Sequence, residues 1–126
     1  MISYEKHLKY FKQTLKQLNE LSDDDLIRIK ILELMHYLDK NHLLDKNYLE
    51  HKARFLACEV NLDKLKNVSA EVLLSFLTTI YRIDYIDANS DAFMIYYHNQ
   101  MLTTILKELI SKLEIVIKSK TKTSSI

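Results

Sequence analysis

The residues in this chain that could do chemistry are few and scattered. Glu33-Leu-Met-His36 has the Glu-x-x-His spacing with which helical-bundle di-iron proteins bring two ligands to one metal. Such a centre needs a second Glu-x-x-His and two further carboxylates on facing helices. Here Glu50 and His51 are adjacent, and no Glu stands three residues before His42 or His98. The spacing therefore reads as a polar pair on a helix surface, and neither a metal nor a cofactor is expected. A single cysteine, Cys58, excludes a cysteine zinc site and an intrachain disulfide. It lies in Phe-Leu-Ala-Cys-Glu-Val, with His51 two turns upstream, in an apolar setting that suits core packing better than a reactive thiolate. With no glycine in the chain, no P-loop, Rossmann turn or nucleophile elbow can be written. Nothing assembles a nucleophile, a base and an oxyanion donor, so an enzyme is not expected.

Two constellations could serve recognition instead. Arg82, Asp84, Tyr85, Asp87 and Asp91 gather around one predicted helix–helix turn, the densest polar group in the chain. They read either as a patch that meets a partner or a cation, or as a corner that Arg82 ties together through hydrogen bonds to the Asp carboxylates. The second reading is favoured. Lys6, Lys9, Lys12 and Lys16 share the outer side of the first predicted helix, and the C-terminal KTKTSSI is basic as well. If the two chain ends met, they would form one positive stripe suited to nucleic acid. Eight tyrosines add surfaces on which bases could stack. Against this, Tyr4, Tyr37 and Tyr48 fall at or near core stripes, Tyr96-Tyr97 suits the end of a bundle, and a lysine face is usually just solvated.

The elements that must position these residues are all helical. The chain has 126 residues, a net charge of +1, 48% hydrophobic and 28% charged residues, and no Gly, Pro or Trp. Without Gly or Pro, a fold with many tight hairpins is hard to build, whereas helices joined by Asn, Asp and Ser turns are easy. The missing residues need G- or C-rich codons, which suggests a low-GC bacterium or one of its mobile elements.

One stretch organises the rest: 90–118, capped by Ser90 and reading as a single long helix through Ile95, Leu102, Leu106, Leu109, Leu113 and Val116, with its continuity across His98-Asn99-Gln100 left open. At 1.5 Å per residue it would span roughly 40 Å, longer than a domain of this size needs. Helix one is expected over 3–21, with Tyr4, Leu8, Phe11, Leu15 and Leu18 inward. Helix two, from 23 to about 40 and capped by Ser22, is apolar on two sides: Ile27, Ile31, Leu34 and Leu38 on one, Leu26, Ile29 and Leu32 on the other. Helix three, about 46–60, should turn Leu49, Ala53, Leu56 and Val60 inward. Helix four, capped by Ser69 and ending near Ile86, should bury Val72, Leu73, Phe76, Leu77 and Ile80. The expected architecture is one all-α domain over 1–118, a bundle of about five helices with a long C-terminal helix, followed by a disordered basic tail at 119–126.

Across residues 73–109 the chain resembles a family of uncharacterised small bacterial and phage helical proteins. In that family a helix ends in Arg-x-acidic-aromatic, here Arg82, Asp84 and Tyr85, and a final helix carries Ile-Leu-x-x-Leu, here Ile105, Leu106 and Leu109. The family's glycine after the turn and its second acidic–Arg step are missing. The resemblance implies a helical fold and no known activity.

The N-terminal MISYEKHLKYFK is too charged for a secretory signal and no apolar run reaches membrane-spanning length, so a cytoplasmic protein without a membrane partner is expected. Two-sided helix two and the over-long last helix point to action by protein–protein binding, as an immunity, inhibitor or accessory protein, with its own copy among the plausible partners. The alternative is a nucleic-acid-associated regulator using the lysine face and the tail.

Overall fold

Nothing in this sequence ends a helix cheaply, and helices account for most of the backbone. The computed structural model describes residues 4–124, with side chains from 5 to 119 apart from Ala88. Among the described residues there are six α-helices and no strand: α1 (Tyr4–Glu20), α2 (Asp24–Lys40), α3 (Lys52–Val60), α4 (Ala70–Ile86), α5 (Ala92–His98) and α6 (Met101–Ser124). Short 3-10 turns at Tyr48–His51, Leu62–Asn67 and Ala88–Ser90 link them. The bundle has six helices rather than about five because the stretch 90–118 is broken. Asn99 ends α5, Gln100 takes a left-handed backbone (φ 69), and the Asn99 Oδ1 accepts the Met101 N–H at 2.9 Å to start α6.

Ser90 does not cap the final helical stretch. It closes a 3-10 turn with its hydroxyl buried and, among the described residues, without a hydrogen-bond partner, and the left-handed Asp91 precedes α5. Asp23, one residue after the expected Ser22, caps α2 by accepting the amides of Asp25 and Leu26. Ser69 caps α4 as the sequence indicates, accepting the Val72 N–H at 3.3 Å. The end of α2 shows how the chain manages without glycine. His42 is left-handed (φ 58), its N–H reaches the Asp39 carbonyl, and the Leu43 N–H reaches back to Leu38. That is the paired helix-end pattern usually built on Gly.

The centre of the bundle is α4, on which α2, α5, α6 and the turn at Tyr48–His51 all pack. Seven positions around it, Leu73 and Ser75 to Ile80, are buried. Two of its buried hydroxyls are satisfied locally: Thr78 and Thr79 each donate to the carbonyl four residues back. The inner faces of α1, α2, α5 and α6 complete one hydrophobic core. On α1 the buried stripe is His7, Phe11, Thr14 and Leu18, while Leu8 and Leu15 lie at its edge. Polar His7 and Thr14 therefore occupy places that the apolar pattern assigned elsewhere; the side chain of Tyr4 lies outside the described residues.

Helix α6 lies along α1 in the opposite direction: the Tyr97 hydroxyl just before it donates to the Leu18 carbonyl at 3.2 Å, and Lys12 pairs with Glu114 at 3.8 Å. Burial on α6 ends at Leu113, beyond which Ile115 and Val116 are exposed. The backbone remains helical to Ser124, inside the stretch read from the sequence as a tail from 119; residues 125–126 lie outside the described residues. No helix among the described residues is long and apolar enough to cross a membrane.

Candidate interaction surfaces

The expected inward face of α3 is its outward face. Leu49 is 67% exposed, Leu56 47% and Val60 89%, and Ala53 between them is exposed too. The core instead takes Phe55 and Cys58, a stripe continued by Leu62 and Leu65 in the following turn. Both stripes are apolar and both have helical spacing. What decides between them is shape. Phe55 fits edge-on between Phe76 of α4 (ring centroids 5.5 Å apart) and Tyr96 of α5 (5.4 Å), a contact that no leucine could make. Cys58 is buried, and burial pushes its thiol above the ordinary range, with Arg54 and Lys64 opposing.

This choice opens a groove between α3 and α4. Phe55 and Tyr96 form its floor, Leu49 and Leu56 one wall, and Ile83 and Ile86 the other. The cavity holds about 210 Å³. Ile86, at the end of α4, is 76% exposed, and the neighbouring Tyr85 is exposed as well. Two cations border the groove, Lys52 and Arg82. Among the described residues neither forms an ion pair.

Arg82 therefore does not tie the helix corner; Arg28 of α2 does. Its guanidinium meets both carboxylate oxygens of Asp91 at 3.1–3.2 Å and Asp25 at 3.0 Å. Asp84 stands close to this pair. Burial first, then the Asp91 charge, raise its carboxyl above the usual range, with Arg28 opposing. Asp87 caps the 3-10 turn by accepting the Asn89 N–H. Of the five residues gathered by sequence, the structure brings Asp84 and Asp91 together, uses Asp87 locally, and leaves Arg82 and Tyr85 to the neighbouring surface. No spacing rule could have pointed to Arg28, which lies 63 residues from Asp91.

The second apolar face of α2 is also uncovered: Leu26, Ile29 and Leu32 are exposed, and Leu26 and Ile29 border a shallow cleft against α1. Lys6, Lys9, Lys12 and Lys16 all lie on α1, with Lys12 held beside Glu114. Glu33 pairs with Lys30 at 3.3 Å and His36 lies against the Tyr81 ring. Among the described residues no group of three His, Cys, Asp or Glu side chains is placed to hold a metal ion.

Two polar arrangements were not visible from sequence. Asp45 accepts from the Ser75 hydroxyl and the Asn47 N–H, and its own N–H donates to Thr78 Oγ1 at 3.0 Å, pinning the α2–α3 connection to α4. The Ser75 hydroxyl, then the Asn47 amide, hold the Asp45 carboxyl below the usual range. Ser, His and Asp side chains all border this cleft, yet Ser75 is buried and bonded straight to Asp45, so no imidazole activates it. On α1, His7 Nδ1 lies 2.6 Å from the Tyr37 hydroxyl, and Tyr37 stacks on Tyr10. Burial, with the Lys6 charge adding, pushes the His7 imidazole below its ordinary range.

No protein-family model matches this chain, and no curated protein or solved structure matches it either.

Proposed function

We propose that this chain works by binding another protein, as a small cytoplasmic helical module of bacterial or mobile-element origin of the immunity, inhibitor or accessory type. The observation that carries this reading is the outward apolar stripe of α3 and the turn before it, Leu49–Ala53–Leu56–Val60, of which Leu49 and Leu56 border the groove that Ile86 lines from the other side. Apolar side chains scattered singly over a surface are ordinary, whereas a contiguous set along a groove marks a contact surface. The uncovered Leu26, Ile29 and Leu32 of α2 and the exposed end of α6 support the same reading. The test is light scattering over a range of concentrations, together with capture of partners by the tagged full chain from a low-GC bacterial lysate. A dimer, or a retained partner released when Leu56 and Val60 become Lys, is expected. A chain that is monomeric at every concentration and retains nothing ends the reading.

A nucleic-acid role is the second reading, favoured by the antiparallel placement of α1 on α6, which brings the lysine side of α1 beside the C-terminal half of the chain. Lys12 is engaged by Glu114, which weakens it. It predicts retardation of DNA or RNA at low salt that is lost when Lys9, Lys12 and Lys16 become Glu. No retardation at low salt removes it.

A further inference from the structure

We infer that the α3–α4 groove takes an acidic, apolar-anchored segment of a partner protein: a short helix that inserts one large apolar side chain and sets carboxylates against Lys52 and Arg82. This rests on the protein-binding reading and goes further by naming the site and the chemistry of what it holds.

The cavity of about 210 Å³ has room for one large side chain. Its floor, Phe55 and Tyr96, is fixed by ring contacts inside the core, so the pocket is already formed before anything enters it. A preformed apolar pocket that admits one anchor is the usual centre of a protein contact. The apolar surface does not stop at the pocket. It runs along α3 to Val60 and across α4 to Ile86, further than a small molecule seated in the cavity would cover. A helix laid along this strip would present its anchors at helical spacing to Leu49, Leu56 and Ile86.

Charge supplies the rest of the identification. The ionisable side chains that border the groove, apart from Tyr48 and Tyr96, are Lys52 and Arg82, and among the described residues neither has a carboxylate from this chain. Glu59, on the same side of α3 as Lys52 but not bordering the groove, is near enough for its charge to add to the burial that raises the Tyr96 hydroxyl. The groove is thus cationic at Lys52 and Arg82, and carboxylates flanking the anchor complete it there. Arginine also pairs with a carboxylate through two parallel hydrogen bonds, so Arg82 would fix the register of the segment as well as its charge.

The experiment selects short randomised peptides, displayed on phage, against the intact chain. Selected sequences should share one large apolar residue with Asp or Glu at neighbouring helical positions. Their affinity should fall about tenfold or more in the Lys52→Glu/Arg82→Glu double variant and about thirtyfold in Leu56→Ala. Selection on the charge-reversed double variant should return Lys- and Arg-bearing peptides instead. Lys52, Arg82, Leu56 and Ile29 are all solvent-exposed, and far-UV circular dichroism and unfolding curves establish that each variant is folded. Peptides without an acidic bias, or peptides whose binding is lost in Ile29→Ala but kept in the charge reversal, overturn the groove assignment while leaving the protein-binding reading standing. A concentration-dependent dimer that Arg82→Glu dissolves makes the occupant a second copy and overturns the choice of partner. No selected peptide at all overturns the groove assignment, and capture from lysate then decides the broader reading by itself.

Discussion

Arg28 and Arg82 both approach the C-terminal end of α4, and the rest of the chain treats them differently. Arg28 is met by Asp91 and Asp25, with Asp84 nearby, all supplied by the chain itself. Around Arg82 the chain places exposed leucine and isoleucine and a second cation. A charge matched by carboxylates of its own chain belongs to the fold, because the match is made when the chain folds. An unmatched charge beside uncovered apolar side chains contributes little to the fold and is free for the contact proposed above. On that proposal, the two sides of one helix end separate what holds the molecule together from what it offers outward.

The largest effect that could break this comparison lies within α3, where adjacent residues fall on its two sides. Phe55→Ala removes a ring wedged between Phe76 and Tyr96 and should cost about 3–5 kcal/mol of stability. Leu56→Ala, next to it, should cost within about 0.5 kcal/mol, as surface substitutions do. Urea unfolding of both variants checks the contrast. If Leu56→Ala costs as much as a core truncation, the outer stripe is part of the fold and the separation collapses.

The same pair shows how far the sequence could be read. Helical periodicity found α3, α4 and both faces of α2, because apolar residues recurring at spacings of three and four line one side of a helix and would scatter over both faces of a strand. Periodicity could not say which of two apolar stripes on α3 faces the core. That was decided by the fit of one phenylalanine between two rings on other helices. The stripe of α1 was misplaced for a related reason: Thr14 and His7 are buried, and a hydrophobicity pattern has no means of choosing them. The break at Asn99–Gln100 was left undecided by the sequence because an Asx cap and a left-handed Gln replace the Gly or Pro that would have announced it. The candidate patch was half legible. Its acids and Arg82 were visible as a cluster, but the residue that ties the corner comes from α2, and contacts of that range leave no mark in spacing.

A smaller effect tests the corner against the groove directly. Arg28→Ala removes bonds to both oxygens of Asp91 from a partly exposed site and should lower stability by more than any change at Arg82 does. Arg82→Ala should change stability by no more than about 0.5 kcal/mol. A double-mutant cycle between Arg28 and Asp91 isolates the pair. Coupling near zero there, or a loss at Arg82 equal to that at Arg28, would erase the distinction between the two arginines.

The corner should also show itself in pH dependence. Burial and the Asp91 charge raise the Asp84 carboxyl in the folded chain, so over the interval between its unfolded and folded values the folded state binds the extra proton. The penalty for ionised Asp84 is complete above the folded value. It is relieved as pH falls through that value and is gone below the unfolded one. Asp84→Asn should therefore stabilise at neutral pH and remove this part of the pH dependence. Arg28→Ala should raise the Asp84 carboxyl further, because the opposing cation is gone. Carboxyl titration followed by NMR in the two backgrounds reads both effects; an Asp84 that does not respond to Arg28 lies outside the corner network.

The smallest expected effect asks why Asp91 occupies a left-handed position at all. A non-glycine residue at φ 52 carries about 1 kcal/mol of backbone strain, somewhat less for Asp, and this chain has no glycine to relieve it. Asp91→Gly removes that strain and also removes the carboxylate from Arg28. With the two terms similar in size and opposite in sign, the net change should lie within about 0.5 kcal/mol of zero. In an Arg28→Ala background there is no pair to lose, so the same Asp91→Gly change should stabilise, by up to about 1 kcal/mol. Thermal unfolding of the four proteins supplies the comparison. A stabilising Asp91→Gly in the native background would mean that the ion pair contributes little and that Arg28 is no better matched than Arg82. A neutral result that turns stabilising once Arg28 is gone would mean that the strained backbone persists because it delivers a carboxylate to Arg28, the service that none of the described residues performs for Arg82.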